Sequence, residues 1–342
     1  MTHQSTNKVA VIVPNWNGYK YLPACLDSLL AQSIPTEIIV VENGSTDGSL
    51  ELLQTNYPLV TVLPQPKNLG FAGGVNVGLR YALDNNLRYA ALFNNDAVAD
   101  RHWLKHLVES LESHQDAGIA TCKFMTIDRS HLDSTGDTYT TWGLPYPRGR
   151  GETDLNKYDA QTDIFGASGG ASLYRCAMFK EIGLFDEDFF AYYEDVDLSF
   201  RAQLAGWKVI YNPKAMAYHQ IGGTSGKIKG FTTYQTLKNL PLVWFKNVPT
   251  RFFWKIGWRL MLAQTLFLGR AISRGQGWSA LKGACKCLVL IGQKVSERQR
   301  IQKAKMVSDE YLWDVITHDL PPNANALRSL RAKWRKLTGH KS

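Results

Sequence analysis

Val9-Ala10-Val11-Ile12-Val13-Pro14-Asn15-Trp16-Asn17 is a short apolar run closed by a proline and a polar loop. A run this short, rich in β-branched residues and free of charge, fits a strand buried on both faces of a sheet. The same pattern repeats outward from it. Tyr21 to Gln32 carries Leu22, Leu26, Leu29 and Leu30 at helical spacing, and Glu37–Val41 is a second β-branched strand. Ser45 or Thr46 is placed to cap a helix from Asp47 to Thr55. Val60–Leu63 reads as a strand, 72–85 as a helix, Tyr89–Phe93 as a strand and Arg101–Ser113 as a helix capped by Asp100. Strand and helix alternating every ~25 residues predict an α/β fold with a doubly wound, mainly parallel sheet. In such sheets ligands bind outside the carboxyl ends of the strands.

Composition narrows the class. The chain has 342 residues, 44% hydrophobic and 20% charged, which excludes a disordered chain and a disulfide-stapled miniprotein. At roughly 100–200 residues per domain it holds one large unit or two smaller ones. No run of about 18 apolar residues occurs, and the polar start lacks a signal-peptide layout. Five scattered cysteines predict reduced thiols in a cytoplasmic protein, and Cys285-x-Cys287 lacks the second pair a structural zinc needs.

The net charge of +9 is divided unevenly. Residues 1–225 hold 17 Lys and Arg against 25 Asp and Glu, whereas residues 226–342 hold 22 against 5 and six of the ten tryptophans. This predicts an acidic body, 1–225, and a basic, aromatic helical region, 226–342, with a hinge near Gly222–Gly226.

The loops at the predicted sheet edge carry the chemistry. They are Pro14-Asn15-Trp16-Asn17, Glu42–Asp47, Asn68–Asn76 and Asn94-Asn95-Asp96. One Asn or Asp in a loop is explained by turn chemistry; four such loops at one edge point to a binding site. Gly70-x-x-Gly73-Gly74 lacks the spacing of a dinucleotide loop. Asp96 places a hard oxygen ligand at a strand's mouth, suited to Mn²⁺ or Mg²⁺ completed by substrate phosphates. A second constellation runs from the small residues Gly166–Ala171, through Phe185-Asp186-Glu187-Asp188, to Glu194-Asp195-Val196-Asp197 and His219. Capping of a helix N-terminus accounts for one or two of these acids, Asp197 among them. The cluster exceeds what capping needs, and one member is available as a general base. His219 is either structural or a metal ligand.

Taken in order, these motifs resemble the family 2 inverting glycosyltransferases of GT-A fold, with the rhamnosyltransferase-like group the nearest in flavour, over about residues 8–250. The resemblance implies that Pro14, Trp16 and Glu42 contact the nucleotide of a nucleotide-diphosphate sugar. Asn17, Asn43, Asn68, Gly70, Asn76, Asn94 and Asn95 are assigned to the same donor site. Asn94-Asn95-Asp96 stands at the D-x-D position, with Asp96 and His219 as ligands of Mn²⁺ or Mg²⁺. Asp195, beside Glu194, is the implied catalytic base. Glu42 replaces the usual Asp, and Asn94 replaces the first Asp of D-x-D. Direct inverting displacement needs no protein nucleophile. A glycosidase would use similar carboxylates on water, but it leaves Asp96 with His219 unexplained. The other reading is a catalytically silent scaffold that binds a nucleotide or lipid.

In the basic region Arg251, Lys255 and Arg259 recur every four residues, beside Phe252, Ile256, Leu260 and Phe267. That is either an interfacial helix on an anionic membrane surface or a core-packing helix with snorkelling cations. No nucleic-acid-binding module accompanies the charge, so nucleic acid is not an expected partner. A saccharide acceptor linked to a polyprenyl diphosphate, met at the inner face of the cell membrane, is implied by resemblance.

Overall fold

The computed structural model describes residues 9–220 and 228–322, together with 324, 325, 327–329 and 331. The hinge expected at 222–226 lies outside the described residues. The alternating elements are β1 (Val9–Asn15), α1 (Leu22–Leu30), β2 (Glu37–Glu42), α2 (Ser49–Asn56), β3 (Thr61–Pro64), α3 (Gly70–Asp84), β4 (Tyr89–Phe93), β5 (Ala97–Ala99) and α4 (Trp103–Ser113). Strands β3-β2-β1-β4 are parallel neighbours. Alternation along β1 divides the core. Val9, Val11 and Val13 pack with Leu22, Leu26, Trp103 and Leu107 of α1 and α4. Ala10 and Ile12 pack with Val75 and Leu79 of α3. Helices on both faces explain why the strand is apolar throughout.

Beyond β4 the sheet becomes mixed. The long β6 (Ala117–Thr126) is followed by the short strands β7 (Leu132–Ser134), β8 (Asp137–Tyr139), β9 (Pro145–Pro147) and β10 (Asp163–Ile164). Strand β11 (Ala171–Arg175) runs antiparallel between β4 and β6. After α5 (Cys176–Ile182) and α6 (Glu194–Leu204), strand β12 (Lys208–His219) lies parallel to β6 and antiparallel to β5.

Helices α7 (Phe231–Asn247), α8 (Thr250–Ser273), α9 (Gly277–Gln293), α10 (Val295–Lys303) and α11 (Asp309–Val315) complete the described chain. They pack on the body. Phe252, Ile256 and Leu260 are buried with Phe189, Val196 and Phe200, so this stripe faces the core and not a lipid. Arg251 pairs with Glu310, and the Lys255 ammonium lies 4.0 Å from the Trp313 ring centroid. Among the described residues no helix is long and apolar enough to cross a membrane.

Three capping expectations are corrected. Neither Ser45 nor Thr46 caps α2; Gly48 does, at φ 85°, while Asp47 accepts from Ser49 N at 3.1 Å. Position φ 85° favours glycine, which lacks the clashing Cβ. His102, not Asp100, precedes α4; Asp100 braces the preceding turn by accepting from His102 N at 3.0 Å. Asp197 caps nothing. It is fully buried, with Arg201 Nε at 2.9 Å, Lys246 Nζ at 2.9 Å and the Asn247 amide at 2.8 Å.

Candidate functional site

The loops at the carboxyl ends of β1, β2 and β4 are stitched by their polar side chains. Asn15 donates to Glu42 Oε2 at 2.8 Å and accepts from Asn95 Nδ2 at 2.7 Å. The other Glu42 oxygen accepts from Ser45 N at 2.7 Å. Asn17 Oδ1 accepts from Thr46 N at 2.8 Å. Asn43 accepts from Leu69 N and donates to Gly70 O, both at 2.9 Å, and Asn68 Oδ1 accepts from Gly70 N at 2.8 Å. Glu42, Asn43 and Asn95 are buried in this network, which aligns the loops. Pro14 and Trp16 sit half-buried beside it. Asn76 is not brought to this edge. It lies buried on α3, and its amide grips Phe185 N and O at 3.1 and 2.9 Å, bracing the acidic segment.

Asp96 and His219, far apart in sequence, are brought together by the pairing of β12 with β5, which sets His219 opposite Ala97. His219 Nε2 lies 3.2 Å from Asp96 Oδ1. Its other nitrogen, Nδ1, lies 2.8 Å from Asp133 Oδ2, and the ring stacks on Phe124 at 4.8 Å. Asp133 is 2% exposed, and Arg150 lies 2.9 Å from its second oxygen. Burial works against the imidazolium, but the two carboxylates prevail and raise the His219 pKa to about 9.

A carboxylate beside an imidazole, whose far nitrogen is held by a buried acid, is a donor set suited to Mn²⁺ or Mg²⁺. Among the described residues no three His, Cys, Asp or Glu are grouped to hold a metal by themselves. Asp96 and His219 would therefore hold a cation whose remaining ligands are water and substrate oxygens.

The acid pair opens α6. Asp195 Oδ2 accepts from Gly169 N at 3.1 Å and Oδ1 from Val196 N at 2.9 Å. The adjoining Gly170 O accepts from Asn94 N at 2.8 Å, so one glycine segment joins the Asp96 loop to Asp195. Glu194 is buried and one of its oxygens has no hydrogen-bond partner. Burial and the Asp195 charge push its pKa well up, and burial raises Asp195 against two backbone N–H donors. Asp137, also buried, is pushed up to about 8 by burial and by the Asp195 charge. Three carboxyls thus share a poorly solvated site that favours holding a proton.

The backbone leading into this pair is unusual. Phe190, Tyr192 and Tyr193 have φ of 63°, 68° and 72°. Left-handed residues of this bulk cost roughly 1–3 kcal/mol each and persist only when their surroundings fix them. Here α7 does the fixing. Asn239 donates to the carbonyls of Phe189, Ala191 and Tyr192 at 3.1, 3.0 and 2.7 Å, and Lys238 to that of Asp188 at 2.7 Å. Gly70, at φ 74°, lies so close that a Cβ would sit 2.4 Å from Phe190 O.

Sequence reasoning missed Asp133, Asp137, Arg150 and the clamp from α7. Asp133 and Asp137 lie in strands of three residues, too short to show a period. Asn239 and Lys238 look like ordinary helix-surface residues in sequence.

The profile of glycosyl transferase family 2 matches residues 10–183, more than half the chain. An N-acetylglucosaminyl-diphospho-decaprenol L-rhamnosyltransferase of Mycobacterium tuberculosis is 27% identical over 242 residues, 65% of this chain and 79% of that protein. The dTDP-rhamnosyl transferase RfbF of Shigella flexneri is 23% identical over 252 residues, 74% of this chain and 78% of that one. Among solved structures, a mannosyltransferase from Pyrobaculum calidifontis in complex with GDP-Man and Mn²⁺ superposes with a TM-score of 0.53 at 18% identity, covering 90% of this chain and 87% of that one. At that identity the likeness concerns the fold alone.

Proposed function

The chain belongs to glycosyl transferase family 2, an inverting family, and has the GT-A fold; from that premise we propose a metal-dependent transfer from a nucleoside-diphosphate sugar to a saccharide carried on a polyprenyl diphosphate. Rhamnose is the first candidate sugar and bacterial cell-surface polysaccharide the product class, a choice supported by the two rhamnosyltransferase relatives. The observation that carries the reading is the meeting of Asp96, His219 and Asp133 with Glu194 and Asp195 across one glycine segment.

In this reading Pro14, Trp16 and the loops aligned by Glu42, Asn43 and Asn68 receive the nucleotide. Asp96 and His219 hold a divalent cation, and Asp133 fixes the imidazole for it. When bound, that cation stabilises the charge on the departing diphosphate. Asp195 takes the proton of the acceptor hydroxyl as it attacks the anomeric carbon from the face opposite the diphosphate. The Gly169 and Val196 N–H groups orient its carboxylate. Burial raises its basicity. Residues 1–225 thus carry the donor chemistry, and 226–342 brace the base and face the acceptor.

Association with the inner face of the cell membrane belongs to the same proposal, through a different surface from the one first read in the sequence. The outer faces of α8 and α9 expose Trp254 (77%), Trp258 (57%), Trp278 (67%) and Leu288 (72%), with Lys282 and Lys286 exposed among them. Aromatics mixed with cations suit an anionic lipid surface. The test of the reaction is a thermal-shift panel of nucleotide sugars with Mn²⁺ or Mg²⁺. The donor should stabilise the fold by about 2.7 kcal/mol at a hundredfold excess over Kd. A panel in which no nucleotide sugar stabilises the protein with either cation contradicts the reading.

A further inference from the structure

A groove of about 260 Å³ lies between α7 and the turn joining α8 to α9, lined by Thr232, Thr233, Thr236, Arg270, Arg274 and Gln276. Among the described residues no carboxylate lines it. Arg270, in the last turn of α8, and Arg274, the residue that caps its C-terminal end, are exposed. Neither makes an ion pair among the described residues, where most cations near the site do. The groove is tied to the segment that precedes Glu194-Asp195. Thr232 Oγ1 donates to Tyr192 Oη at 3.4 Å, and Tyr193 Oη lies 3.5 Å from Thr236 Oγ1. Tyr192 and Tyr193 lead directly into Glu194-Asp195. The two helices that meet at this turn carry exposed apolar residues close to it in sequence, Ile272 (61%) on α8 and Trp278 (67%) and Leu281 (48%) on α9.

We infer that this groove binds the diphosphate of a prenyl-diphosphate-linked acceptor, with the prenyl chain laid over Ile272, Trp278 and Leu281. The inference rests on the proposed transfer to a lipid-linked saccharide and gives that acceptor its site. Two guanidinium forks side by side match the oxygens of a diphosphate, and the threonine hydroxyls and Gln276 amide add neutral donors. A saccharide alone has no charge to answer two unpaired arginines. A nucleoside diphosphate has the charge but no use for the apolar shelf. The placement also sets a direction: diphosphate in the groove, chain outward to the exposed face of α8 and α9, sugar inward past Tyr192 and Tyr193 to Asp195.

The test is calorimetry on the full chain with farnesyl diphosphate, inorganic diphosphate and farnesol as probes, each with and without nucleoside diphosphate. Wild type should bind farnesyl diphosphate more tightly than either fragment and keep it when nucleoside diphosphate is added. Arg270→Ala with Arg274→Ala should weaken that binding at least ~tenfold, the scale of losing charge-assisted hydrogen bonds. The Arg270→Lys, Arg274→Lys pair should recover part of it. Unchanged melting temperature and donor affinity show that both pairs fold. Four results overturn the inference: no binding by wild type, equal binding by the alanine pair, displacement by nucleoside diphosphate, or inorganic diphosphate binding as tightly as the prenyl form. A protein that binds farnesyl diphosphate through these arginines but transfers no sugar refutes the proposed reaction and leaves the groove. One that transfers sugar yet binds the probe equally with and without them refutes the groove alone.

Discussion

Replacing Lys246 by methionine perturbs the ion cluster that ties α7 to the acid-bearing segment. The Lys246 side chain is 0% exposed, and its ammonium lies 2.6 Å from Asp186, 2.9 Å from Asp197 and 3.0 Å from Glu297. Methionine keeps most of the volume and removes the charge, leaving Asp186, at 6% exposure, with Lys294 and Asp197, at 0%, with Arg201 as the one cation each retains among the described residues. Asp197 keeps Arg201 and Asp186 keeps Lys294, so the cost is that of lost charged hydrogen bonds, about 1.5–3 kcal/mol, below the penalty for a fully uncompensated buried charge. At about 2 °C per kcal/mol for a chain of this size, that is a fall of roughly 3–6 °C in Tm. The pH dependence has a definite sign. Burial raises the Asp197 carboxyl, but Lys246 and Arg201 reverse this and hold it at about 2. A depressed carboxyl contributes stability that is present above its unfolded value of about 3.9 and is lost as pH falls towards its folded value. Without Lys246 the contribution of burial gains weight, the carboxyls rise, and the variant is relieved by protonation. The gap between wild type and variant should therefore be widest near neutral pH and narrow as pH falls towards about 4. Urea denaturation at several pH values measures it. A loss under about 1 kcal/mol at neutral pH, or a gap that widens in acid, would refute the reasoning.

Three further outcomes are expected. Asp96→Ala should remove Mn²⁺-dependent donor binding and slow turnover by roughly 10²–10³, so wild-type activity with unchanged Mn²⁺ dependence contradicts the metal assignment. Asp133→Ala should weaken Mn²⁺ affinity about 10–100-fold by freeing the His219 ring, read by titration of the metal with nucleoside diphosphate present, whereas Asp133→Asn keeps an acceptor for Nδ1 and should lose less. Replacing Trp254, Trp258 and Leu288 together by alanine should reduce co-sedimentation with anionic vesicles at least ~tenfold. Reversing Arg251, Lys255 and Arg259 to Glu should do less, because Arg251 and Lys255 already face Glu310 and Trp313; the opposite ranking moves the lipid-facing surface.

Much of the first half of the fold is legible because its strands are short apolar runs punctuated by polar loops. Tyr89–Phe93 is read to the residue, and the parallel neighbours β1, β2, β3 and β4 follow from alternation alone. The stretch from 127 to 170 is not legible, because strands of two or three residues carry no period, and the buried acids Asp133 and Asp137 hide there. Helix starts are misread where backbone geometry outweighs side-chain preference, as at Gly48. The basic region shows the limit of pattern reading. Period identifies Phe252, Ile256 and Leu260 as one face of α8, but only packing tells whether core or lipid covers it. Asp197 reads as a cap by position, yet its partner Lys246 lies on another helix.

The central claim is that Asp195 is the base of an inverting sugar transfer, and turnover by Asp195→Asn measured beside its donor affinity tests it most directly. Asparagine keeps the size and, through its single carbonyl oxygen, one of the two hydrogen bonds from Gly169 and Val196, but it cannot take a proton. A general base contributes about 10²–10⁴-fold, or about 3–5.5 kcal/mol of barrier. The account predicts that loss in kcat with donor Kd changed by less than about threefold, since a transition-state interaction is removed and ground-state binding is spared. Turnover within about tenfold of wild type, or equal losses in donor binding and kcat, contradicts it.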